Sequence, residues 1–91
     1  MDKIMNEVCV FLADGFEEIE GLTVVDLLRR AGIETRTVSI MGQEEIKGAH
    51  GIIVKADSLF ENTDFSEVKM LVLPGGMPGT IHLKNTKVLK G

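Results

Sequence analysis

A chain of 91 residues with 44% hydrophobic and 26% charged residues has the composition of one ordinary globular domain, which excludes extended disorder. Its net charge of −4 leaves no basic face to neutralise phosphates, so nucleic acid is excluded as a partner. One cysteine and two histidines, His50 and His82, exclude a disulfide framework and a thiolate zinc site, so no metal or cofactor is expected.

The opening segment, MDKIMNE, lacks the apolar centre of a secretion signal, and the apolar runs fall far below the roughly 20 residues that span a bilayer. The expected compartment is the cytoplasm, with no membrane partner. Val8-Cys9-Val10-Phe11-Leu12-Ala13 is a continuous apolar run bounded by Asp14-Gly15. It reads as a strand buried on both faces, as in a parallel sheet. A helix is predicted over Glu17 to Ala31, stopped by Gly32. Asp14 and Glu17 are spaced as a capping box, and Arg29 and Arg30 suit the negative end of the helix dipole.

Glu34 to Met41 alternates Arg36, Val38 and Ile40 with Thr35, Thr37 and Ser39, the pattern of a second strand. Gly42-Gln43-Glu44 turns the chain. Short β pieces are expected at Glu45–Lys47 and Ile52–Lys55, then a loop or single turn from Asp57 to Ser66. Met70-Leu71-Val72-Leu73 is another buried strand, closed by Pro74-Gly75-Gly76. Pro78-Gly79-Thr80 opens a helical turn, and Asn85 or Thr86 caps a last helix, Lys87–Lys90.

The order β-α-β-β-hairpin-β-α predicts an α/β fold with a flavodoxin-like parallel sheet sandwiched by helices. The first strand then lies between the second and the Met70–Leu73 strand. Met70–Leu73 has a central-strand composition, yet nothing after it covers its far edge. Residues 1–91 therefore read as the N-terminal part of a larger single domain.

Ligands in open α/β sheets bind beyond the carboxyl ends of the strands. The acidic segment Asp14–Glu20 and the Pro74–Gly79 turn lie there. At about 100° per residue, Val24, Leu27, Leu28 and Ala31 define an apolar helix sector, with Val25 at its margin. Glu20 falls inside that sector. Glu18 falls outside it, nearer Asp26 and Arg29. Glu17 points inward and is explained by capping. Glu20 is thus the carboxylate expected to face the sheet, where burial raises a pKa. Ile19 and Leu22 fall on the outer side and, with Ile52 and Ile53, offer a dimer patch. The Gly75-Gly76 turn can direct backbone N–H groups at an oxyanion. Cys9 sits mid-strand and is expected to be inert packing. His50 and His82 are expected at the surface.

The segments Val8–Ala13, Asp14-Gly15-Phe16-Glu17-Glu18-Ile19-Glu20, Asp26–Gly32 and Leu71-Val72-Leu73-Pro74-Gly75-Gly76 together resemble the ThiJ/PfpI superfamily, nearest the Parkinson-disease protein deglycase branch. The likeness runs from Val8 to the end. It implies a homodimeric flavodoxin-like protein, in a family described as cysteine-dependent glyoxalases or deglycases, stress-linked chaperones, peptidase-like hydrolases and, by an older label, thiazole monophosphate biosynthesis proteins. Glu20 matches the family acid that hydrogen-bonds the nucleophilic cysteine, and Gly75 and Gly76 match the oxyanion turn. Ile19, Ile52 and Ile53 match positions near the dimer interface. The cysteine itself lies beyond the matched region. The partner is expected to be a second copy or the C-terminal half of the same fold, with a small carbonyl substrate. Two alternatives stand beside this reading: a non-catalytic interaction or chaperone-like module, and a class I glutamine amidotransferase-like domain.

Overall fold

The structure, a computed structural model, describes residues 7–74 and the backbone of residues 87–90. The elements run β1 (Glu7–Leu12), α1 (Glu18–Arg30), β2 (Glu34–Ser39), β3 (Glu45–Lys47), β4 (Ile53–Lys55), β5 (Ser58–Leu59), a 3-10 turn (Phe60–Asn62), β6 (Val68–Leu73) and β7 (Lys87–Lys90). Five strands form one sheet in the order β5-β2-β1-β6-β7, and β3 pairs with β4 in a separate hairpin. Every pairing in the large sheet is parallel. The flavodoxin-like α/β expectation holds, with β1 between β2 and β6.

β1 is buried along its whole length because both of its faces carry a core. Val8, Val10 and Leu12 face one side with Phe16, Val25, Ile46, Ala56 and Val72. Cys9 and Phe11 face the other with Val38, Val68 and Leu71. This is the alternation of a pleated strand. Helix α1 and the β3–β4 hairpin cover the first face. On the second, Phe60 and Phe65 close over Phe11, with ring centroids 5.7 and 5.9 Å away. A register shift between Glu7 and Val8 lets Val68 join the second core while Met70 and Val72 pack in the first.

Helix α1 ends as expected. Gly32 takes φ +82°. Its N–H donates to the Arg29 carbonyl, and that of Ile33 to the Leu28 carbonyl, both at 3.0 Å. This double bond set is a Schellman stop, open to glycine because it has no Cβ.

The start of α1 differs from expectation. Glu17 is the N-cap, its side chain accepting from the Ile19 N–H at 3.3 Å. The Asp14 carboxylate instead accepts from the Lys47 N–H at 3.1 Å. The hairpin competes for Asp14, so no Asp14–Glu17 capping box forms.

Two further expectations are corrected. Lys87–Lys90 is a strand paired with Met70–Leu73, not a helix. A four-residue helix has too few bonds to repay its nucleation, whereas a bare edge strand offers a full row of partners. The far edge of β6 is accordingly covered. Ser58–Leu59 adds a short strand beside β2 where a loop was expected. The Gly75-Gly76 turn, the Pro78–Thr80 turn, the Asn85 or Thr86 cap and His82 lie outside the described residues.

Candidate functional site

The first turn of α1 and the loop before it meet the tip of the β3–β4 hairpin. Backbone bonds dock the two: Gly15 N–H to the Lys47 carbonyl at 2.8 Å, and Ala49 N–H to the Phe16 carbonyl at 2.9 Å. Glu18 completes the junction and is buried, with 2% of its surface exposed. Its Oε2 accepts from the N–H groups of His50 (2.8 Å) and Ile52 (3.2 Å). Its Oε1 lies 2.8 Å from His50 Nδ1. Gly48 leaves room for this side chain, since a Cβ there would overlap the Glu18 carboxyl.

Burial alone would raise the Glu18 pKa. The bonds from the His50 ring, from its own N–H and from the N–H groups of His50 and Ile52 outweigh burial and hold it down at about 2. The His50 ring is shifted up, first by its bond to Glu18, then by the Glu17 and Glu18 charges. Glu17, Glu18 and His50 bring donor atoms within 4.8 Å of one another, close enough for a cation to bridge. Glu18 Oε2 and the capping Glu17 Oε1 already accept N–H bonds, and Glu18 Oε1 is engaged by the His50 ring, so we assign the group to hydrogen bonding.

The helix-wheel expectation for the carboxylates is reversed. Glu18, expected outside, is buried. Glu20, expected inside, is exposed. The buried residues of α1 are Glu18, Gly21 and Val25, a stripe rotated roughly a quarter turn from the apolar sector. Gly21 is the missed signal. A Cβ there would sit 3.1 Å from the Phe16 ring and 3.5 Å from Pro74, so the helix approaches its neighbours along its bare side. Leu27, which pulled the sector the other way, is 60% exposed.

Glu20 nonetheless reaches the carboxyl end of the sheet. With Ile19, Thr23, Val24, Val72 and Pro74 it lines an open groove of about 330 Å³. Its walls are apolar, and Glu20 and Thr23 border it with their carbon atoms. A groove between the helix after β1 and the end of β6 lies where ligands of open α/β sheets bind. Gly75 and Gly76, the other expected site residues, follow Pro74 and lie outside the described residues.

Cys9 is fully buried and unpaired. Burial, aided by the Glu7 charge and opposed by Arg36, pushes its thiol up to about 12. It is no nucleophile at neutral pH. Ile19 (74%), Ile52 (51%) and Ile53 (64%) are exposed, as expected. Among the described residues, no helix is long and apolar enough to cross a membrane.

A parallel sheet in this order, with an acidic helix start and a groove at the end of β6, defines a flavodoxin-like α/β domain. The chain belongs to the DJ-1/PfpI family, whose profile matches residues 6–91; this is the family that the sequence motifs resemble. The chain is 34% identical over 90 residues to Protein DJ-1 homolog B of Arabidopsis thaliana, covering 99% of this chain and 20% of that protein. It is 34% identical over 83 residues to Deglycase TK1284 of Thermococcus kodakarensis, covering 91% of this chain and 49% of that protein. Oxidized DJ-1 of Toxoplasma gondii superposes with a TM-score of 0.75 at 38% identity, over 81% of this chain and 40% of that one. The chain thus spans less than half the length of these relatives.

Proposed function

We propose that this chain forms the N-terminal part of a single DJ-1/PfpI domain, whose complete form is a cysteine-dependent hydrolase of the glyoxalase or deglycase type acting on a small carbonyl compound. The observation that carries the reading is the place of Glu20, on a groove at the end of β6. In the complete fold a cysteine from the polypeptide beyond this sequence stands against that groove. With its proton already lost to solvent, its thiolate adds to the carbonyl carbon while Glu20 hydrogen-bonds the sulfur; the C=O π pair moves to oxygen, and N–H groups at Gly75 and Gly76 receive that oxyanion. The name of the Thermococcus relative, a deglycase, supports the reaction class.

The test uses the polypeptide that carries both this chain and the family cysteine. Glu20→Gln is expected to slow alkylation of that cysteine by iodoacetamide about a hundredfold, the usual scale of a proton-handling group. Glu18→Gln, compared in folded samples, should have a far smaller effect. Equal effects overturn the assignment of Glu20.

A second reading concerns assembly and rests on the exposed isoleucines. Ile19, Ile52 and Ile53 form a docking face for a second copy of the chain, because apolar side chains this exposed gain by mutual burial. Sedimentation of the wild type as a dimer and of Ile53→Glu as a monomer is the expected result. Monomers in both samples would sink this reading. The unpaired, buried Cys9 suits a cytoplasmic setting.

A further inference from the structure

We propose that Glu18 and His50 form a proton-operated latch that fastens the β3–β4 hairpin to the first turn of α1. This role is separate from the cysteine chemistry, and it borders the docking face through Ile52, whose N–H is one of the latch donors.

The geometry has three parts. A buried carboxylate on the helix receives two backbone N–H groups from the hairpin tip through one oxygen. Its other oxygen meets a histidine ring on the same tip, and that ring is itself exposed. The tip is shaped for the contact, with Gly48 clearing space and Gly51 held at φ +82°. The buried oxygen therefore fixes the hairpin in place, while the exposed ring stays in proton exchange with solvent.

Protonation changes what the ring offers. As an imidazolium it must present N–H at Nδ1, and the bond to Oε1 joins two opposite charges. As a neutral ring it keeps one proton. It then either donates a weaker, uncharged bond or turns a lone pair toward the carboxylate. Other charges around the junction are Asp14 and Glu17 in the preceding loop, Glu20 in the helix, and Glu45 and Lys47 on β3. Of these, Glu17 reaches the ring, at 3.8 Å from Nδ1, and its sign also favours the protonated form. The latch is accordingly tight in mildly acidic solution and slackens in alkali.

Proton NMR of the whole 91-residue chain tests this directly. His82→Gln assigns the two ring signals. The His50 ring is expected to titrate above the ordinary 6.5, and its midpoint should move down in Glu18→Gln. Hydrogen-exchange protection of the His50 and Ile52 amides, corrected for intrinsic rate, should fall severalfold as pH rises through that midpoint. A midpoint at or below 6.5 overturns the proposal, as does protection that ignores the titration. If Glu18→Gln does not fold, His50→Gln decides. It should abolish the pH dependence at the Ile52 amide, and retention of that dependence rejects the latch.

Discussion

Gly48 has no side chain to spare the Glu18 carboxyl, and this makes a sharp test of that residue's role. The atoms in the way belong to a flexible side chain, which would ordinarily move at little cost. Here moving them strips two hairpin N–H groups of their acceptor. Gly48→Ala is therefore expected to destabilise the fold by about 1–3 kcal/mol, the range for buried groups left without a partner. Urea unfolding measures it. The same residues give stability a definite pH profile. Glu18 has a lowered folded pKa, so its contribution is complete above the ordinary 4.5 and is lost as pH falls toward about 2. His50 has a raised folded pKa, so its contribution is complete below 6.5 and is lost as pH rises through the higher folded value. The pair stabilises most between pH 4.5 and 6.5. Thermal melts of wild type and His50→Gln across that window should differ most inside it and converge in alkali.

At the scale of elements, polar residues hold β2 in register with its surroundings. Asp57 Oδ2 accepts from the Thr37 N–H, the Thr37 hydroxyl and the Arg29 guanidinium. Arg29 also donates to the Thr35 carbonyl. The Arg29–Asp57 pair is half exposed, so its ionic part is small. The backbone bond to Thr37 matters more. Asp57→Ala is expected to cost about 1–2 kcal/mol, against about 0.5 or less for Asp26→Ala, which removes only the exposed pair with Arg30. Chemical denaturation of both variants gives the comparison. Elements with a strong local pattern were legible from sequence: β1 by its unbroken apolar run, the end of α1 by Gly32, the hairpin by its short β pieces. The facing of α1 was not. A wheel weighs apolar side chains, whereas Gly21 sets the approach by having none, and Glu18 is buried through donors that lie far along the chain. β7 was missed for a related reason, since its four residues take their state from an edge provided by β6.

For the molecule as a whole, the sheet order was legible because alternation of strand and helix permits few parallel arrangements. Glu20 lines the groove at the end of β6 but is exposed where the helix wheel expected burial. The two cores were not separable from sequence, since Phe60 and Phe65 sit in a segment without periodicity. Phe11 joins them in a three-ring cluster, and it is fully buried. Phe11→Ala should cost about 3–5 kcal/mol, and Leu27→Ala less than about 0.5, measured by unfolding at equilibrium.

The central place of β1 also orders events in time. Its β2 neighbour is brought back by one helix, a short closure for a parallel pair. Its β6 neighbour arrives only after the hairpin, β5 and the 3-10 turn have been made. Loop closure grows costlier with separation, and distant pairings slow folding. During synthesis the β1-α1-β2 unit leaves the ribosome first and can condense early, while the other edge of β1 waits. Until β6 docks, that edge presents unpaired backbone beside Cys9 and Phe11. The interval before docking is when a nascent chain of this protein is most exposed to pairing with the wrong strand.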